Sequence, residues 1–175
     1  MGSVLSYAWG SSQDPALDTP DIATGLTKRE KLAVKKTWAI VMQDQKTHGV
    51  QLFIFLFETH PSAIDYFKKF RGKTLKYIAK SPSLRAHATT VIQSLNNMVD
   101  SLDDPECLAE LVHRIGVSHQ ARGITRNLFD LLAETIVNYM KSHSLLDDFA
   151  TSSWQKTLNK INDLAEEAMT EETDE

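Results

Sequence analysis

The sequence predicts an all-α protein, and three observations carry that prediction. Apolar residues recur at three- and four-residue spacing in one stretch after another. Several of these stretches open on helix-start signals, namely Thr27-Lys28-Arg29-Glu30, Ser81-Pro82 and Asp104-Pro105. No segment reads as a strand with a partner to satisfy its backbone groups. Five or more long helices packed on one another are the architecture that follows.

A chain of 175 residues with 42% hydrophobic content is long enough for one buried core and has the length of one domain. We expect a flexible tail over residues 1–25, a folded domain over 26–168 and an acidic tail over 169–175. The formal charge of -4 offers no electrostatic footprint for nucleic acid, which needs a basic face. Cys107, the single cysteine, forms no internal disulfide, and there is neither a signal-peptide core nor a long apolar span. The expectation is a soluble, cytoplasmic protein.

Residues Met1 to Gly25 are rich in Ser, Asp, Gly and Pro and show no apolar period. Within them Met1-Gly2-Ser3-Val4-Leu5-Ser6 fits the N-myristoylation pattern, with Gly2 exposed once Met1 is removed. One acyl chain alone binds a membrane marginally, so the expected attachment is weak and at the cytoplasmic face. Its nearest basic cluster, Lys28, Arg29, Lys31, Lys35 and Lys36, lies beyond Asp14, Asp18 and Asp21 and could help only if the tail folds back.

The domain opens with the Thr27–Glu30 capping box, after which Val34, Trp38 and Val41 form a buried stripe that fades near Gln43 to Lys46. The run Val50 to Phe57 is almost continuously apolar, and period cannot tell helix from strand within it. With no strand partner elsewhere, helix is the reading. It ends by His60, because Pro61 disfavours helical geometry in the residue before it and can itself start a short turn. Phe67 and Phe70 then sit three apart among lysines, as core anchors or as the wall of a flat ligand's site. Arg71 to Lys80 reads as a basic, mobile connection anchored by Leu75 and Ile78. From Ser81-Pro82 a helix carries Leu84, Ala88, Val91, Leu95, Met98 and Leu102 inward, and His87 lies on that stripe. From Asp104-Pro105 another carries Leu108, Leu111, Val112, Ile115 and His119. Leu128, Leu132, Ile136, Tyr139 and Met140 mark the next, broken at Ser142-His143-Ser144. Trp154, Leu158, Ile161, Leu164 and Ala168 mark the last, which begins between Asp147 and Thr151, with a frayed acidic end after Ala168.

Taken singly, a histidine on an apolar stripe is a hydrogen-bonded core residue. Two change the reading. His87 and His119 each lie 16 residues from Asp103, roughly 24 Å along a helix at ~1.5 Å per residue. If the two helices run back alongside each other, the imidazoles end level and suit a metal held between them. Without a carboxylate or thiolate nearby, an iron macrocycle is a better match than a bare zinc ion, which wants three or four protein ligands.

At this point the chain resembles a globin, most of all the neuroglobin and globin X type. The resemblance rests on Trp38, on His48-Gly49 leading to Leu52-Phe53 and Leu56-Phe57, and on Pro61. It continues through Phe67 and Phe70, Ser81-Pro82 with His87 and Val91, and His119 followed by Gly123-Ile124, over about Leu26 to Ala168. It implies the globin fold, a three-over-three helical sandwich around haem b. His119 would be the proximal iron ligand, and His87 the distal residue, donating a hydrogen bond to bound O₂ or binding the iron itself. Phe67 would pack on the porphyrin, Phe53 and Val91 would shape a dry distal pocket, and Ile124 would line the proximal edge. Lys73, Lys76 and Arg122 would be partners for the propionates. The implied function is reversible O₂ binding for storage, supply or sensing, by a monomer or homodimer that is not an enzyme and that also takes NO or CO. The alternative is a bis-histidyl redox or signalling globin acting on nitric oxide, nitrite or peroxide, which needs a reductase partner. The resemblance departs in one place, since the cysteine that often follows Gly2 in globin X proteins is Ser3 here.

Overall fold

Thr27 and Glu30 satisfy each other's backbone N–H groups, the Thr27 hydroxyl accepting from Glu30 at 3.1 Å and the Glu30 carboxylate accepting from Thr27 at 2.7 Å. The structure, a computed structural model, describes residues 15 to 171. Its α-helices are α1 Pro15–Asp18, α2 Lys28–Gln43, α3 Gln45–Thr59, α4 Leu75–Lys80, α5 Pro82–Asp100, α6 Pro105–Gln120, α7 Arg126–Ser142 and α8 Asp148–Glu171. Short 3₁₀ turns occupy Pro61–Tyr66 and Ser101–Asp103, and no strand occurs among the described residues. Gly2 and its acylation pattern lie outside them.

The expected helix starts are made by the residues that signalled them. Ser81 accepts the N–H of Ser83 at 3.2 Å, and Asp104 accepts the N–H of Cys107 at 3.1 Å. The ambiguous apolar run is helix α3, which buries Leu52, Phe53, Leu56 and Phe57. Its Gly49 permits a close crossing with α5, because a Cβ there would lie 3.0 Å from Ile92 and 3.4 Å from Ala88.

Three expectations are corrected. The stretch from Pro15 to Gly25, expected to be a flexible tail, is tied to α2: Asp18 pairs with Arg29 at 2.8 Å, and Asp21 pairs with the buried Lys31 at 2.7 Å. Asp21 also accepts the N–H groups of Ala23 and Thr24 at 2.8 and 2.9 Å. Side-chain acceptors and ion pairs hold this segment, so no apolar period announces it. The connection expected to be mobile over Arg71 to Lys80 contains α4, capped by the Thr74 hydroxyl and pinned by the fully buried Ile78. The last helix continues past Ala168, with Met169 buried, as far as Glu171.

Packing explains where a cavity is left. The helix of His87, α5, packs chiefly on α3, and that of His119, α6, chiefly on α8, so the two do not lie together along their length as the sequence reading supposed. Gly116 lets α6 approach α8, since a Cβ there would meet the Ala165 carbonyl oxygen at 2.7 Å. One core cluster joins α2, α5, α6, α7 and α8 around Trp38 and Trp154, whose ring centroids are 5.6 Å apart. The Trp154 indole N–H donates to the Thr37 hydroxyl at 2.8 Å. A second cluster gathers Phe53, Phe57, Phe70, Ile78 and Leu84. Each such fully buried side chain contributes about 1.5–3 kcal/mol. Val91 touches both clusters and stands beside the cavity.

Candidate functional site

A cavity of about 690 Å³ opens between α3, the Pro61–Tyr66 corner, α5, α6 and α7. His87 and His119 both line it, together with Phe53, Phe67, Val91 and Ile124, so all six residues expected at the site meet there. The diverging packing of α5 and α6 brings the imidazoles to one space.

His87 is half-buried between two aromatic rings that meet it edge-on, Phe53 at 5.0 Å and Phe67 at 5.3 Å between centroids. Burial holds its imidazole below the usual 6.5, and the nearness of His119 lowers it further. His87 is therefore neutral at pH 7, with one ring nitrogen a donor and the other an acceptor. Phe67 in turn stacks on Phe70, with centroids 5.7 Å apart and planes 18° from parallel, which anchors the cavity wall in the second core cluster.

The His119 ring is fixed by its own helix. Its Nδ1 is 2.8 Å from the Ile115 carbonyl oxygen, which can only accept, so Nδ1 carries the proton and Nε2 keeps a lone pair. The Ser118 hydroxyl, 3.3 Å from the same nitrogen, itself donates to the Ile115 carbonyl at 3.1 Å. The ring of Phe129 from α7 meets the imidazole edge-on at 5.2 Å. Just beyond, Gly123 at φ 73° closes α6: the Ile124 N–H donates to the His119 carbonyl at 3.1 Å and the Gly123 N–H to that of Gln120 at 2.8 Å. This closure by a left-handed glycine places Ile124 at the cavity.

Sequence reading missed part of the wall. Leu128, Leu131 and Leu132 of α7 line it, and Phe129 braces His119. Their spacing is that of an ordinary buried helix face, so nothing in the sequence set them apart as a cavity wall. At the rim, Lys68 and Arg122 are the lining cations; Lys73 and Lys76, expected near the propionates, are not among the lining residues. Helix α4 accounts for this, because it draws the segment into its own packing and leaves the Lys73 ammonium 5.5 Å from the Tyr77 ring centroid. The Arg122 guanidinium donates to the Ser118 carbonyl.

A family model described as "Globin" matches residues 50–164. A globin from Nerita albicilla is 33% identical over 144 residues, covering 81% of this chain and 91% of the relative. The chain belongs to the globin family. Hemoglobin-2 from Phacoides pectinatus is 27% identical, over 75% of this chain and 87% of that protein. Among solved structures, ferric myoglobin from Aplysia limacina superposes with a TM-score of 0.76 at 23% identity, covering 82% of this chain and 98% of that one. At that identity the likeness concerns the fold, which is the globin fold, a three-over-three helical sandwich.

Haem b is the cofactor of this family, and the cavity fits it. Its volume is in the range of cofactor sites, its wall is built mainly from Phe, Leu, Ile and Val, and one imidazole reaches it with a fixed tautomer and an available Nε2. No group of three His, Cys, Asp or Glu side chains able to hold a bare metal occurs among the described residues, whereas an iron macrocycle would need one imidazole or two from the chain. His119 would hold the iron, and Lys68 and Arg122 at the rim would face the propionates.

Proposed function

We propose that this globin binds dioxygen reversibly, as a binding protein rather than an enzyme, for storage, supply or sensing. The observation that carries the reading is the pairing across one apolar cavity of His119, its Nδ1 occupied by a backbone carbonyl, with His87, kept neutral by burial. Ferrous haem supplies the reversible capture of a diatomic ligand. The chain's own residues do the rest. The Ile115 carbonyl orients the His119 ring and raises the basicity of Nε2. Phe53, Phe67 and Val91 keep water from the ligand space, which slows iron oxidation. A neutral imidazole N–H on His87 is available to donate a hydrogen bond to a ligand bearing partial negative charge. The names of relatives agree with this reading, since they include a hemoglobin and a myoglobin.

A second reading makes His87 a ligand of the iron and the chain a redox or signalling globin of the neuroglobin and globin X type, acting on nitric oxide, nitrite or peroxide with a reductase. One feature favours it, namely the uncharged His87 imidazole beside the same cavity as His119. The relatives named above carry none of those activities in their names. Weak association with the cytoplasmic face of a membrane through Gly2 is a separate proposal, resting on the sequence pattern.

The visible spectrum of the reduced, oxygen-free protein separates these readings. A single broad band between green and yellow is the expected result and corresponds to a sixth position left open for O₂. Two sharp bands would assign both histidines to the iron and overturn the leading reading. A purified protein that takes up no haem would overturn both.

A further inference from the structure

Outside the haem cavity, a second pair of histidines meets around a buried tyrosine. His48 lies on the first turns of α3 and His143 directly follows α7. Neither lines the cavity, and nor does Tyr139, which is buried between them. The three ring centroids form a triangle, 6.0 Å from His48 to Tyr139, 4.3 Å from Tyr139 to His143 and 6.2 Å from His48 to His143.

The hydrogen bonds set both tautomers. His143 Nδ1 is 2.9 Å from the Tyr139 carbonyl oxygen, an obligate acceptor, so this nitrogen donates. The Tyr139 hydroxyl donates to Gln51 Oε1 at 3.0 Å, so His48 Nδ1, 2.7 Å from the phenol oxygen, donates to it. Each imidazole thus carries its proton on Nδ1 and keeps a lone pair on Nε2, which makes no hydrogen bond to the described residues. A ring whose second nitrogen donates to a fixed protein oxygen is the arrangement that orients metal-binding histidines. The supports are rigid as well. The chain beyond His143 is closed by Ser144 at φ 57°, with Leu145 N–H donating to the Met140 carbonyl at 3.0 Å and Ser144 N–H to that of Lys141 at 2.9 Å. The local field favours a cation, because the negative end of the α7 helix dipole lies beside His143 and Asp44 stands four residues before His48. The Tyr139 phenol is committed by its hydrogen bonds to Gln51 and His48, so it serves as a support and not a ligand.

We propose that His48 and His143 bind copper(II) through their Nε2 atoms at a site distinct from the haem, with Tyr139 as the residue that positions His48. The 6.2 Å between the ring centroids is a span that two metal–nitrogen bonds of about 2 Å can bridge. No group of three His, Cys, Asp or Glu able to hold a metal occurs among the described residues, so water completes the coordination. Two imidazoles with water suit tetragonal copper(II), which also stands highest among the divalent first-row ions for nitrogen ligands, whereas zinc wants three or four protein ligands.

The test is a copper(II) titration of the haem-loaded full chain carrying Cys107→Ser, which removes the exposed thiol. Affinity is read against a competing chelator and coordination by electron paramagnetic resonance. One copper per chain with nitrogen couplings from two imidazoles is expected. His143→Gln, at an exposed position, is expected to weaken binding at least tenfold and remove one nitrogen. Tyr139→Phe is expected to weaken binding about tenfold while both nitrogens remain and the haem spectrum is unchanged, as loss of an outer-shell partner does. Wild-type affinity in the His143→Gln protein would overturn the site. Wild-type affinity in Tyr139→Phe would overturn the positioning role.

Discussion

His119 Nδ1 and the Ile115 carbonyl oxygen stand 2.8 Å apart on one helical turn, so the orientation of the imidazole beside the cavity is set by the backbone that carries it. Only Nε2 remains for a ligand bond. Removing the ring therefore removes the bond without disturbing the helix. His119→Ala is expected to bind haem at least a hundredfold more weakly, measured by haem transfer to an acceptor globin, and free imidazole is expected to restore part of the visible spectrum. Full retention of haem with an unaltered spectrum would show that the iron is held elsewhere.

His87 offers the ligand a donor from a neutral ring. A hydrogen bond to a charged or strongly polarised group contributes about 1.5–3 kcal/mol, and each 1.4 kcal/mol is tenfold in rate or affinity. His87→Leu should speed O₂ dissociation by about tenfold or more in stopped-flow measurements while leaving CO dissociation nearly constant. Equal rates in wild type and variant would mean that His87 makes no contact with the ligand.

The α6–α8 crossing sets a steric limit. A Cβ at Gly116 would lie 2.7 Å from the Ala165 carbonyl oxygen and 3.0 Å from the Ala168 Cβ, so backbone must shift to admit it. Gly116→Ala should destabilise the protein by about 1–3 kcal/mol in denaturant titration, the usual range for overpacking. An unchanged midpoint would mean that the two helices are farther apart than described.

Asp21 gives the acid limb of stability a specific origin. The Lys31 ammonium, 2.7 Å away, and the N–H groups of Thr24 and Ala23 hold its carboxyl at about 2, below the ordinary 3.8. Because the folded value is the lower one, the unfolded chain takes up the proton more readily, and stability falls as pH drops. The contribution is present in full above about pH 4 and is lost as pH falls through about 2. After allowance for solvent at this partly exposed carboxylate, it amounts to about 1 kcal/mol. Asp21→Asn should lower stability by that amount at pH 7 and flatten the dependence below pH 4. A variant that keeps the wild-type slope would assign the acid transition to other carboxylates.

Residues that combine a chemical type with a helical position were legible in the sequence. His87, His119, Phe67 and Val91 declared themselves by spacing, family pattern and start signals, and they do share one cavity. The α7 wall did not, because Leu128, Leu131 and Leu132 are the residues that any buried helix face would carry. Phe129 escaped for the same reason, its contact with His119 depending on how α7 meets α6. The segment from Pro15 to Gly25 was illegible in another way. What holds it is long-range pairing of Asp18 with Arg29 and Asp21 with Lys31, and no local period encodes a partner ten residues away. Helix α4 is too short for periodicity and is fixed by the Thr74 cap and one buried isoleucine.

The glycine turn that ends α6 joins two jobs in one short piece of chain. His119 carries the ring that would hold the iron, and its carbonyl receives the N–H of Ile124, which lines the same cavity. Residues 119–124 therefore behave as a cassette that can be moved only whole. An insertion after Ile124 would lengthen the connection to α7 and leave ring and wall in register. A single residue added inside the cassette would break the closing bond and carry Ile124 out of the wall, so engineered loops and natural length variants alike should accumulate on the far side of that isoleucine.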